Sequence, residues 1–148
     1  MINTIKRFET LLCDGLEYLS YSSEPEISTK PSNDKWSKKE ILGHLVDSGI
    51  NNLQRFTEIQ FSSKPYKVRD YKQDELVRAN NYQRAQLQEI IDFWTTINKR
   101  ILILLKQQTD LTLGYSIELS SGKIVDLRFL IQDYVAHLEH HLAQIKKT

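Results

Sequence analysis

Leu87-Gln88-Glu89-Ile90-Ile91-Asp92-Phe93-Trp94-Thr95-Thr96-Ile97-Asn98-Lys99-Arg100-Ile101-Leu102-Ile103-Leu104-Leu105 places Leu87, Ile90, Ile91, Trp94, Ile97, Ile101, Leu104 and Leu105 at steps of three and four. That is the period of an α-helix with one buried face, and the charged residues fall between these positions. The stretch predicts a core helix of roughly five turns. Ile90, Leu102 and Ile103 sit towards the margins of the stripe. They either broaden the core face or supply a surface for a homodimer.

Working outward, the same period recurs on both sides. Ile5, Phe8, Leu12, Leu16 and Leu19 outline a first helix ending near Tyr21. Ser22 to Lys35 is polar and reads as a connector. Ser37 and Glu40 then match a capping box, in which each side chain satisfies a free backbone N–H, and Trp36 before the cap can staple onto Ile41. A second helix is therefore expected from Lys38 to about Gln60. Leu42, Leu45, Gly49, Leu53 and Phe56 share one face of it, while His44, Ser48, Asn51 and Arg55 share another.

Ser62 to Glu75 reads as a loop around Pro65. In it Lys64, Lys67, Arg69 and Lys72 alternate with Tyr66 and Tyr71. Such interleaving can hold a single nucleic-acid strand. Here Asp70, Asp74 and Glu75 offset the charge, which favours a lid or rim. After Asp110 the period drops to two at Tyr115, Ile117 and Leu119, and Ser121-Gly122 turns the chain before Ile124. This is a short β-hairpin or extended excursion. Asp126 can cap a last helix carrying Leu127, Ile131, Tyr134, Leu138, Leu142 and Ile145 on one arc, with Lys146 and Lys147 at the negative end of its dipole. Four helices and one excursion make residues 1–148 a single all-α domain, a four-helix bundle.

Composition agrees and excludes several function classes. Five Gly and three Pro in 148 residues are too few for a turn-rich β-fold. A net charge of +1 creates no field that recruits nucleic acid or an anionic membrane. Cys13 is the single cysteine, so no intramolecular disulfide or thiolate zinc module forms, and any metal must be held by imidazole or carboxylate. The basic pair Lys6-Arg7 is followed by Glu9, Asp14 and Glu17, which interrupt the apolar run an export signal needs. The longest aliphatic run, Ile101 to Leu105, is far short of the ~20 residues that cross a bilayer. A cytoplasmic protein with no membrane or nucleic-acid partner is expected.

The histidines are the chemical oddity. His137, His140 and His141 crowd one helix, and His44 lies far upstream. His137 and His141, four apart, project from one helix face and can close on a single cation, whereas His140 points about 100° away and is excluded as a ligand. Adding His44 would complete a three-histidine set with one coordination position open. HxxxH spacing also arises by chance, and His44 taken alone also reads as a surface histidine. The run does not match the HExxH zinc-protease motif, because Glu139 does not directly follow His137 and points away from the pair.

Trp36-Ser37-Lys38-Lys39-Glu40-Ile41-Leu42-Gly43-His44-Leu45-Val46-Asp47-Ser48, then Asn51-Asn52, Arg55-Phe56, Asn80-Asn81-Tyr82-Gln83 and His137-Leu138-Glu139-His140-His141-Leu142 together resemble the DinB/YfiT-like superfamily of metal-dependent enzymes. The resemblance runs over nearly the whole chain. It implies an up-down-down-up four-helix bundle with a divalent metal, zinc or nickel, on His44, His137 and His141. The activities it implies are hydrolysis and thiol-dependent S-transfer or isomerisation, with a low-molecular-weight thiol as a second cofactor. The family's name reflects induction by DNA damage and says nothing of DNA contact.

The expectation is therefore a metal-dependent hydrolase or thiol transferase for a small-molecule substrate, with water or thiolate at the open position. Asp47 and Asp133, each one turn from a ligand, are candidates to orient an imidazole, with ordinary helix-surface charge as their competing role. Asn51, Tyr82 and Gln144 are candidate cleft residues, while Tyr134 falls within the apolar arc. Ser48 has no triad and Cys13 no nearby histidine, so the metal would supply most of the chemistry. The alternative is a non-catalytic helical bundle for binding or dimerisation, with a structural or vestigial metal site.

Overall fold

A computed structural model describes residues 1–147. In chain order it contains α1 (Ile2–Ser20), α2 (Glu24–Ser28), α3 (Lys38–Glu58), β1 (Tyr66–Lys67), α4 (Gln73–Asn80), a 3-10 turn at Tyr82–Arg84, α5 (Leu87–Lys106), α6 (Asp110–Leu113), β2 (Ser116–Glu118), β3 (Ile124–Asp126) and α7 (Leu127–Lys146). The long helices α1, α3, α5 and α7 form the four-helix bundle. Both α1 and α3 pack on α5 and on α7, so α1 faces α3 across one diagonal and α5 faces α7 across the other. The connections after α1 and after α5 therefore cross a diagonal, while the longest one, residues 59–86, joins α3 to α5, which pack directly.

The capping signals at the sequence level are realised in atoms. Ser37 Oγ accepts from the Glu40 N–H at 3.1 Å, and Glu40 Oε1 accepts from the Ser37 N–H at 3.0 Å. Asp126 opens α7 by accepting from the Phe129 N–H at 2.8 Å. The α5 stripe forms the centre of the core, where Trp94 and Ile101 are fully buried. Ile90 belongs to that core, Leu102 is half-buried against it, and Ile103 stays exposed.

The two segments expected to be irregular hold more structure than their composition suggests. Ser22 to Lys35 contains α2, capped by Ser23 accepting from the Glu26 N–H, and its Ile27 is fully buried. Glu24 in α2 does work a local reading cannot see. Its carboxylate accepts from the Leu87 N–H at 2.8 Å, capping α5, and from the buried Lys39 ammonium at 2.6 Å. Ser62 to Glu75 contains β1 and the first turn of α4. β1 pairs in parallel with β2, and β2 pairs antiparallel with β3, so the expected hairpin is the larger part of a three-stranded sheet in the order β1-β2-β3. A two-residue strand carries no readable period. Ile117 on the central strand is fully buried, and Gly122, with φ of +87°, makes the hairpin turn that a side chain would strain. No helix among the described residues is long and apolar enough to cross a membrane.

Candidate metal centre

His44 comes from α3, and His137 and His141 come from α7, two helices that pack directly. The ligand-capable nitrogens of the three all lie within 4.8 Å of one another. Their ring centroids are 5.1 Å (His44–His137), 4.7 Å (His44–His141) and 4.5 Å (His137–His141) apart, and every pair meets edge to face. His44 Nε2 stands 3.2 Å from His137 Nε2, so two ring nitrogens already face each other across the centre. His140 is exposed, touches only the flank of His141 at a centroid distance of 4.9 Å, and takes no part in the cluster.

Burial makes the three imidazoles neutral. It pushes His44 down to about 3 and His137 down to about 4, and lowers His141 as well; the neighbouring histidines add a smaller like-charge effect in the same direction. A neutral imidazole keeps the lone pair that a cation needs. The sign of the pH effect on the metal-free protein follows. The unfolded chain, with histidines near 6.5, binds protons that the folded one refuses. This contribution to stability is complete above about 6.5 and is lost progressively as pH falls to about 3. Urea midpoints of metal-free protein at pH 7 and pH 5 check it: the wild type should lose more stability between them than His44→Gln.

The surroundings orient the rings. Gln144, expected at the cleft, accepts from His141 Nδ1 at 2.9 Å, which leaves Nε2 of that ring free for a ligand bond. Trp36 lays its ring over His44 at 5.0 Å, a contact about two turns along α3 and beyond the reach of a hydrophobic staple. Asp47 is buried and makes no hydrogen bond to His44. Instead its Oδ1 accepts from Tyr82 Oη at 2.6 Å and from Asn80 Nδ2 at 3.2 Å. Burial pushes its carboxyl up while the Tyr82 hydroxyl pulls it back. The Tyr82 ring lies directly on the Gly43 backbone.

The remaining candidates lie elsewhere. Asp133 is exposed and has no hydrogen bond to His137. Asn51 donates to the Asp47 carbonyl at 2.8 Å and lines a separate polar cavity with Arg55, Glu58 and Tyr66. Tyr134 is in the core, as its arc suggested, and donates to Asn98 Oδ1 at 2.6 Å. Glu139 turns away to pair with Arg7 of α1.

Against Trp36 and Gln144 opens a cleft of about 950 Å³, lined also by Lys35, Ile41, Asp74 and Lys147 but by none of the three histidines. It adjoins the centre through Trp36 and Gln144, each of which touches a histidine. A polar cavity of about 480 Å³ shares Lys35, Trp36 and Asp74 with it and extends to Lys30 and Arg78. Three nitrogen donors on two rigid helices fit a borderline cation such as zinc or nickel better than magnesium or calcium, which favour oxygen. They also leave a coordination position unfilled by protein. The residues present therefore fit a divalent metal.

The comparisons with known proteins agree with this geometry. A protein of Halalkalibacterium halodurans named "Putative metal-dependent hydrolase BH0277" is 24% identical over 140 residues, covering 94% of this chain and 81% of that protein. Among solved structures, YfiT from Bacillus subtilis, described as "a probable metal-dependent hydrolase with an unusual four-helix bundle topology", superposes with a TM-score of 0.84 at 21% identity, over 97% of this chain and 82% of that one. A mycothiol-dependent maleylpyruvate isomerase superposes with a TM-score of 0.75 at 10% identity, and the chain spans 60% of its length. These structural likenesses speak for the fold. The model of the DinB superfamily matches residues 6–145, nearly the whole length that carries the bundle and all three histidines, and the chain belongs to that superfamily.

Proposed function

We propose that the protein is a metal-dependent enzyme acting on a small molecule, with a zinc- or nickel-type cation on His44, His137 and His141. The observation that carries this reading is the convergence of three neutral imidazoles beside a cleft of ligand size. When bound, the cation supplies Lewis acidity, easing deprotonation of a water or thiol and polarising a carbonyl or phosphoryl oxygen.

The chain's own residues do the rest. Gln144 holds the His141 ring, and Trp36 keeps water off one face of His44. Asp34, Lys35, Asp74 and Lys147 bring both signs of charge to the cleft, where they can engage polar groups of a substrate. Among the described residues no side-chain nucleophile stands ready. Ser48 is buried within α3, and Cys13 lines a small groove with Trp94 between α1 and α5. The nucleophile must therefore come from solution as water or a low-molecular-weight thiol. A cleft of about 950 Å³ is at the upper end for a small-molecule site, with room for a thiol beside the substrate.

The experiment is turnover of an electrophile panel by zinc- or nickel-loaded protein, with and without bacillithiol, glutathione or coenzyme A. Turnover that requires a thiol supports transfer, and turnover indifferent to every thiol supports hydrolysis. Absence of both, in protein that binds metal stoichiometrically, leaves the non-catalytic bundle as the better reading. The exposed Phe93 and Ile103 on α5 support self-association as well, and a monomer by light scattering would remove that part.

A further inference from the structure

Two buried polar atoms on α3 have no hydrogen-bond partner: His44 Nδ1 and Asp47 Oδ2. Leaving either unsatisfied costs about 1–3 kcal/mol, so a pair of them on one helix needs a reason. They belong to residues three apart, which are neighbours on a helix surface. Around the α3 axis, Asp47 falls between Gly43, about 40° to one side, and His44, about 60° to the other. The Gly43 side is taken. The Tyr82 ring covers Gly43, and its hydroxyl, with Asn80, occupies Asp47 Oδ1. Oδ2 has no partner, and its residue borders His44 on the helix surface.

We infer that Asp47 is a positioning residue for His44, its Oδ2 accepting from His44 Nδ1–H through one buried water. A proton held on Nδ1 leaves Nε2 with its lone pair, and Nε2 is the atom that faces His137 across the centre at 3.2 Å. Histidines that bind metals commonly donate their other N–H to a carboxylate or carbonyl in this way. His141 already has Gln144 in that role, while His44, more deeply buried, has no other acceptor. Tyr82 and Asn80 hold the carboxylate by Oδ1 and leave Oδ2 for the bridging water. The inference rests on the three-histidine reading and deepens it.

Asp47→Asn is the sharpest variant. An amide has one acceptor oxygen, which can serve Tyr82 or the bridging water but not both. With the oxygen kept by Tyr82, the NH2 group donates to that water, which turns a hydrogen to His44 Nδ1 and favours the tautomer with the proton on Nε2, which blocks the ligand atom. The test combines nitrogen-15 spectra of the histidine rings, in metal-free and zinc-loaded protein, with zinc affinity by chelator competition.

A protonated His44 Nδ1 in the wild type is expected. Zinc binding should weaken by about 10–100-fold in Asp47→Asn, with unchanged helical content, and by less in Tyr82→Phe, which keeps both carboxylate oxygens. An unprotonated His44 Nδ1 in the wild type, or an Asp47→Asn affinity within twofold of wild type, overturns the inference. A wild type that binds no zinc would sink the metal reading instead, and the metal-free spectrum would still decide the tautomer. So would the wild-type spectra alone if Asp47→Asn failed to fold.

Discussion

Replacing His137 or His141 by alanine should abolish tight metal binding while leaving the bundle folded. Each of these rings supplies one of the three nitrogens that lie within 4.8 Å of one another. Loss of a residue that merely orients a ligand typically costs 10–100-fold in metal affinity, so loss of the ligand itself should cost more than about 100-fold. The fold should survive because α7 is held by Leu130, Ile131, Tyr134, Leu138, Leu142 and Ile145, which lie in the core, while the two histidines are only partly buried. Removing them also relieves the burial of titratable rings. Zinc titration followed by chelator competition measures the loss, and thermal unfolding of the metal-free proteins checks that it is not a loss of fold. Alanine variants that bind zinc as tightly as the wild type would remove the three-histidine centre.

Gly43→Ala should be the most destabilising glycine-to-alanine change in the protein. A Cβ at position 43 would lie 2.2 Å from Cδ2 and 2.3 Å from Cγ of Tyr82, the base of a ring that cannot swing aside without taking its hydroxyl with it. Tyr82 would then lose its 2.6 Å hydrogen bond to Asp47 and leave the buried carboxylate oxygen with Asn80 alone. Overpacking typically costs about 1–3 kcal/mol and a lost hydrogen bond to a carboxylate about 1.5 kcal/mol, so a total near 3 kcal/mol is expected. For a domain of this length that corresponds to a fall in Tm of about 10 °C. Gly43→Ala combined with Tyr82→Ala should recover part of it, because the methyl then meets no ring. A Tm for Gly43→Ala within 2–3 °C of wild type would mean that the ring and the helix do not touch as described.

Much of the fold was legible because long helices write their period into the chain. The α5 stripe, the Ser37–Glu40 box and the Asp126 cap each rest on steps of three or four residues, and local spacing is enough to recognise them. The short elements were not legible for the same reason. A two-residue strand such as β1 exists only because β2 lies beside it, and α2 earns its place through Ile27 in the core and Glu24 on the Leu87 N–H.

The candidate site divides in the same way. Spacing alone paired His137 with His141 and set His140 aside, since both follow from 100° per residue on one helix. The place of His44 was carried by the resemblance, because 93 residues separate it from His137 and no local period reaches that far. The structure brings them to 3.2 Å, stacks Trp36 on His44, and gives His141 to Gln144. It also separates two residues that the sequence treated alike: Asp47 is buried on the inner side of α3, while Asp133 faces solvent on α7.

The sequence by itself therefore determined the helices, their caps and the chelating pair, all of which depend on contacts within a few turns of one chain segment. Which helix faces which across the bundle, the burial that keeps three imidazoles neutral, and the network of Tyr82, Asn80 and Asp47 were decided only by tertiary structure. Each of them depends on desolvation and on contacts between segments far apart in the chain, which become defined when the core closes.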